Sequence, residues 1–426
     1  MRILWLNPNL LLPLDKGGKL RTWHLLRQIA SRHEVTYLSF ADPRSSRDEH
    51  DGMREVCRTL ETVPRLDEGK QGLAFYAGVL ARLPARLPYA IGKYRSREYA
   101  RRLRHLLDLQ PFDLVVCDFL VPAVNMPPRL PCASVVFTHN VEAEIWRRHA
   151  EAETRPLRRR LLESQWARMG RFEGRTLSRF NLVLAVSDAD RCTIGRLYPD
   201  VKAPVRVVPT GVDTAYFLPS DHEAVEPARL VFTGSMDWLP NEDAMLYFTR
   251  EILPRIREAA PAVTVSIVGR EPTARVKALA ADAGIEVTGS VPDVRPWIRR
   301  AAVYVVPLRI GGGTRLKIFE AMAMGKAVVS TSVGAEGLPV SPDHDVLIAD
   351  DPQAFASAVV ALLNDTRRRE RLERAARALM LARYDWSVVA AELDDALSLT
   401  AAGRATELAR VAPDNKRLAL DANSQT

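Results

Sequence analysis

GGGTRLKIFEAMAMGK, residues 311–326, lies between two short apolar runs, VYVVPL at 303–308 and AVVST at 327–331. Strand, glycine-rich loop, helix and strand in that order make a βαβ unit of a parallel sheet. Three successive glycines let the backbone approach a ligand closely. The helix that follows aims its free N–H groups and positive dipole end at the same spot, which suits a phosphate. Arg315 and Lys317 add positive charge there, and Glu320 sits about one turn into the helix, within reach of sugar hydroxyls. A plain turn before a surface-charged helix fits this segment alone equally well. The P-loop pattern GxxxxGK[ST] is excluded, because position 320 is Glu and position 327 is Ala.

The same rhythm extends in both directions. Upstream in the same half, LVFTGS (230–235), VTVSIVG (263–269) and IEVTGS (285–290) read as strands. Helical stretches are expected at 241–259, 273–283, 292–302 and 314–323. The first half repeats the alternation with RILWL (2–6), a helix from about Leu20 to Ser31, VTYLSF (35–40), LVVCDF (114–119), ASVVFTH (133–139), LVLAVS (182–187) and VRVVPT (205–210). Two doubly wound α/β domains in series are the simplest reading. The join falls near 206–228, an irregular stretch carrying Pro219 and Pro227. Residues 1–208 form the first Rossmann-like domain and 209–382 the second, with a terminal helix over 383–402. Residues 403–426 are polar and read as a disordered tail.

Composition narrows the class. A chain of 426 residues, 47% hydrophobic and 26% charged, is that of a soluble globular protein. No apolar run reaches the ~18–20 residues of a membrane helix. Asn7, Pro8 and Asn9 break the apolar start before it resembles a secretion signal. Four scattered cysteines give neither a disulfide framework nor a zinc site, which fits a reducing cytoplasm. The net charge of +8 is uneven: residues 1–205 hold 34 Lys and Arg against 23 Asp and Glu, a net +11, and the remainder is −3. Arg-rich stretches at 93–107 and 147–179 carry much of this excess. Solvated helix faces are the default reading, yet the density points to an anionic surface, with phospholipid head groups ahead of nucleic acid.

Further candidates lie at strand ends. Gly17 and Gly18 form a glycine turn between the first strand and first helix, where doubly wound sheets bind ligands. His139 closes a strand, a position from which it can donate or accept a proton. Asp188-Ala189-Asp190 has the form of a metal-binding D-x-D, but helix capping by Ser187 or Asp188 explains it better. No metal site and no cofactor are expected.

Jointly these pieces resemble the retaining glycosyltransferases of family 4, with their GT-B fold of two Rossmann-like domains facing a central cleft. The motifs that carry the resemblance are GGKLRTWHLLRQIA (17–30), THNVE (138–142), AVSDADR (185–191), VVPTGVDTAYF (207–217), VFTGSMDWLPNEDA (231–244), GSVPDVRPWI (289–298) and the glycine loop. THNVE and GGGTRLK are closest to a bacterial subgroup associated with exopolysaccharide and exosortase loci. The resemblance implies transfer of a hexose from a nucleoside-diphosphate sugar to a glycan or lipid-linked acceptor. The protein would be cytoplasmic, peripheral on the inner face of the membrane. It implies that Glu320 holds the ribose hydroxyls and that Gly312, Gly313 and Thr314 line the donor sugar and diphosphate. Arg315, Lys317 and Arg270 would face the diphosphate, with Gly234 and Ser235 beside the donor, Ser290 and Val291 beside the base, Gly17 and Gly18 over the phosphates and His139 toward the reacting sugar.

Two departures stand out. The family motif has two glutamates eight positions apart, and the earlier position here is Gly312. The usual Arg and Lys after the first strand of the second domain give way to Ser235-Met236-Asp237-Trp238. Two rival readings are a GT-B nucleotide-sugar 2-epimerase and a catalytically degenerate scaffold for polysaccharide assembly.

Overall fold

The computed structural model of the chain describes residues 1–15, 17–66, 86–219, 224–310 and 316–403. The chain divides into two units, Met1–Pro209 together with the segment from Ala390 onward, and Thr210–Val389. In the first, strands β1 (Arg2–Asn7), β2 (Glu34–Ala41), β3 (Thr59–Pro64), β4 (Leu114–Asp118), β5 (Ala133–Phe137), β6 (Leu182–Ala185) and β7 (Val205–Val207) form one sheet in the order β3-β2-β1-β4-β5-β6-β7. The second holds β8 (Glu226–Thr233), β9 (Thr264–Val268), β10 (Ile285–Gly289), β11 (Ala301–Val306), β12 (Ala327–Ser330) and β13 (Leu347–Ile348), ordered β10-β9-β8-β11-β12-β13. Every strand pairing among the described residues is parallel. The order reverses between β1 and β4 and again between β8 and β11, the points where such sheets open a crevice.

Central strands are apolar throughout because helices cover both faces of a parallel sheet. All five residues of β4 and all six of β11 are buried. The strands not expected from sequence are those lacking this signature: β3 is a polar edge strand, TLETVP, and β13 has two residues. Gly17 and Gly18 are not a turn but the first residues of the helix Gly17–Ala30. The stretch 292–302 forms a helix only over Arg295–Arg300, because β11 already begins at Ala301. Helix 241–259 instead starts at Leu239 and includes a wide turn at Phe248–Ile252. Residues 352–400 make three helices, Pro352–Asn364, Thr366–Leu379 and Trp386–Ala401. The expected tail, from residue 404 on, lies outside the described residues, and among those described no helix is long and apolar enough to cross a membrane.

The start of the second unit is pinned by one side chain. Arg377 Nη1 donates to the carbonyls of Thr214 at 3.2 Å and Phe217 at 3.0 Å and to that of Ala323, and Nη2 also donates to Thr214. Asp385 completes the clamp by accepting from Thr214 Oγ1 at 2.5 Å. Burial pulls the Arg377 pKa down and the Asp385 charge opposes the shift. Arg377→Met should therefore strand several buried carbonyls and destabilise the second unit by about 3 kcal/mol. Denaturant unfolding checks this, and an unchanged midpoint would contradict it.

Candidate functional site

In the first unit, four elements converge on the carboxylate of Asp118, the last residue of β4 and fully buried. Its Oδ2 accepts from Trp5 Nε1 (3.1 Å), Asn7 Nδ2 (2.7 Å) and Thr22 Oγ1 (2.7 Å), and its Oδ1 lies 2.7 Å from His139 Nε2. Burial raises the Asp118 pKa, but His139 and the hydroxyl and indole donors outweigh it, and the group stays below the usual carboxylate range. For His139 burial wins over the attraction of Asp118, so its pKa falls and the ring is neutral at pH 7. A carboxylate only accepts, so Nε2 carries the ring hydrogen and Nδ1 the lone pair.

Phe119 stacks on this imidazole, centroids 3.6 Å apart and planes 9° apart, and does so from a left-handed backbone with φ +68°. That conformation is strained for a bulky residue and is tolerated where the surroundings over-determine it. Gly18 fits beneath the pair for want of a side chain: a Cβ there would stand 2.9 Å from Phe119 Cζ and 3.8 Å from His139 Nδ1. Gly17, one residue earlier, is exposed at the helix start. Arg21, one turn on, is buried, donates to the Val208 carbonyl and lies 4.1 Å over the Phe137 ring. Burial lowers its pKa to about 9.

The helix after His139, Glu142–Ala152, is capped from outside. Glu173 accepts from the N–H groups of Glu142 (2.8 Å) and Ala143 (3.0 Å) and from Tyr198 Oη (2.5 Å). Burial, and then the charge of Glu173, push Glu142 up to about 7. Ser187 caps the helix Asp188–Leu197 by accepting from the Asp190 N–H at 3.1 Å, as the capping reading of Asp188-Ala189-Asp190 anticipated.

In the second unit, Lys317 is the second residue of the helix Leu316–Ala323. Its ammonium donates to Asn241 Oδ1 at 2.8 Å and sits 4.0 Å over the Phe232 ring, a cation–π placement. Gly234 follows β8, and a Cβ there would be 2.8 Å from Lys317 Nζ and 2.7 Å from Asn241 Nδ2, so a side chain at this position would push both groups from where they sit. Asn241 Nδ2 in turn donates to the Ser235 carbonyl at 2.8 Å. Arg270 is exposed and its Nε donates to Ser235 Oγ at 2.8 Å. Glu320, one turn beyond Lys317, is raised to about 7 by burial, with the Lys317 charge pulling it back. Gly234, Ser235, Arg270 and Lys317 are thus joined through shared contacts. Ser290 and Val291 follow β10, two strands away from β8. Gly312, Gly313, Thr314 and Arg315 lie outside the described residues. Among the described residues no group of three or more His, Cys, Asp or Glu is placed to hold a metal ion.

Asp118, Phe119 and Asn241 were not singled out from sequence. A lone aspartate ending an apolar strand was the available signal for the first; Asn241 carried none, being 76 residues from the lysine it contacts.

Residues 16–216 match the family model described as Glycosyltransferase Family 4, and residues 227–365 match the one described as Glycosyl transferases group 1. The two matches follow one another along the chain, one on each side of residues 217–226. It is similar to a D-inositol 3-phosphate glycosyltransferase of Catenulispora acidiphila, 29% identical over 51% of this chain and 55% of that one. It is also similar to a phosphatidyl-myo-inositol mannosyltransferase of Mycolicibacterium smegmatis, 32% identical over 44% and 50%. The chain thus spans about half the length of these curated relatives. In fold it is similar to HepE of Anabaena in complex with UDP, TM-score 0.64 at 13% identity over 93% of this chain and 100% of that one. The fold is GT-B: two parallel-sheet α/β domains.

A titration follows from Glu142. Its folded pKa of about 7 lies above the ordinary 4.5, so ionisation costs stability as pH rises from about 4.5 through 7. Glu142→Gln removes that cost. It should raise the stability of the first unit by about 1–3 kcal/mol at pH 8 and change little at pH 4. Equal effects at both pH values in denaturant unfolding would contradict the assignment.

Proposed function

We propose that this protein transfers a sugar, with retention of configuration, from a nucleoside-diphosphate sugar to a glycan or lipid-linked acceptor in cell-surface glycan synthesis. The observation that carries this reading is the Lys317 ammonium lodged against Gly234 and Asn241, one turn ahead of the Glu320 carboxyl. When the bond between the sugar and the diphosphate breaks, its electron pair stays on a phosphate oxygen, and that new charge needs a cation already in place. Lys317 supplies it, with the positive dipole end of the helix Leu316–Ala323. Glu320 accepts from the ribose hydroxyls of the donor, and Arg270 is a second cation for the diphosphate. The reaction needs no divalent metal on this reading. The two mycobacterial and actinobacterial relatives named for inositol-based acceptors, and the neighbour bound to UDP, support a nucleotide donor and a lipid-linked or phosphorylated acceptor.

The test is a panel of nucleotide sugars offered with a lipid-linked acceptor and excess chelator. Acceptor-dependent product is expected, undiminished by the chelator. Lys317→Met should lower kcat about a hundredfold, more than it raises KM for the donor. Wild-type rates in that variant, or activity restored only by magnesium or manganese, would contradict the proposal.

The acceptor side of the reading includes an anionic membrane surface at the cytoplasmic face. The helix Pro156–Leu177 and its approach expose Arg155, Arg158, Arg159 and Arg160 together with Leu157, 80% exposed, and Trp166. Binding to anionic vesicles should be strong at low salt and fall steeply above ~0.15 M, as screening shortens the reach of these charges. Equal binding to neutral vesicles would rule out this electrostatic mode.

A further inference from the structure

We infer that Asp118 is a positioning residue that fixes His139 as the Nε2–H tautomer, so that Nδ1 accepts a hydrogen bond from a sugar hydroxyl beside Gly18. The inference rests on the transfer reaction proposed above and adds to it a chemical polarity: the histidine acts as an acceptor, not as an acid.

The geometry is one-sided. Trp5, Asn7 and Thr22 all donate to Oδ2 of Asp118, and Oδ1 is left to His139. The imidazole has no freedom to turn away, since Phe119 stacks on its face at 3.6 Å and Phe137 approaches at 5.3 Å. Its side chain is 6% exposed, and Nδ1 makes no hydrogen bond among the described residues. Gly18 lies on the Nδ1 side of the ring, where a Cβ would stand 3.8 Å from that nitrogen and 2.9 Å from Phe119 Cζ, so a glycine keeps the approach to Nδ1 from being blocked. The charged group facing the pair is Arg21, which weakens any second protonation of the ring and sits near Asp118 as well. A ring held this way offers a hydroxyl one lone pair and no hydrogen.

The three donors on Oδ2 also make the conservative variant predictable. In Asp118→Asn the amide oxygen must take the Oδ2 place, because its NH2 there would face three N–H or O–H donors. The amide NH2 then points at His139 Nε2, which can only accept. The ring hydrogen is forced to Nδ1, and the acceptor offered to the sugar becomes a donor.

The experiment is long-range ¹H–¹⁵N correlation on full-length protein labelled with ¹⁵N-histidine, the His139 signal being the one lost in His139→Gln. At pH 7.5 the wild type should show protonated Nε2 and unprotonated Nδ1; Asp118→Asn should show the reverse. In turnover, the same variant should lose kcat roughly tenfold or more while its affinity for the nucleoside diphosphate alone is unchanged. A wild-type ring protonated on Nδ1, a variant whose tautomer does not invert, or an inverted variant with wild-type kcat would each overturn the inference. The wild-type spectrum decides the tautomer even if the variant fails to fold. If wild-type protein transfers no sugar from any donor, the functional reading fails, and the spectrum still shows whether Asp118 sets the ring.

Discussion

Parallel pairing of every strand is the constraint on which the rest of this protein depends. It sends the carboxyl ends of all strands in a sheet to one edge, and the chemistry of the chain collects there. Asn7, Asp118 and His139 end or follow β1, β4 and β5; Gly234 and Arg270 follow β8 and β9. Lys317 lies on the helix that leaves β11. Of those strands β1, β4, β8 and β11 flank the two reversals in strand order and β5 and β9 lie one strand further out, so residues far apart in sequence become neighbours without any local motif.

The two units solve opposite electrostatic problems by the same means. The first buries an anion, Asp118, and the second lodges a cation, Lys317. Removing Asp118 from water costs several kcal/mol and half-burying Lys317 costs part of that, whereas a single charge-assisted hydrogen bond returns about 1.5–3 kcal/mol. One partner is therefore insufficient. Asp118 has four, from Trp5, Asn7, Thr22 and His139. Lys317 combines the Asn241 amide with the face of Phe232. The completeness of the first set also stiffens His139, which takes up a fixed tautomer as a by-product of satisfying a carboxylate.

How much of this could be read from the sequence depended on range. The buried central strands announce themselves, because LVVCD and AAVYVV are apolar on both faces. Thr59–Pro64 does not, since an edge strand shows only one face to the core and its Thr and Glu read as loop. Gly17 and Gly18 looked like a turn because glycine is a poor helix former; the place of Gly18 is set by crowding against Phe119. The placement of Lys317 and Glu320 about one turn apart on one helix was legible from spacing. The partners that give them meaning were not: Asn241 and Asp118 are ordinary residues until the sheet brings Lys317, Trp5, Asn7, Thr22 and His139 to them. Local pattern fixes elements, and only tertiary contact tells a structural aspartate from a positioning one.

The proposed transfer requires the second unit to receive the diphosphate of a nucleotide sugar with a resident cation and no metal. Calorimetric titration of wild-type protein with UDP and GDP, each against its monophosphate, in excess chelator, tests it most directly. At least one diphosphate should bind about tenfold or more tightly than its monophosphate, the difference of one charge-assisted contact. Equal affinity for mono- and diphosphate, or diphosphate binding that appears only when magnesium is added, would contradict it.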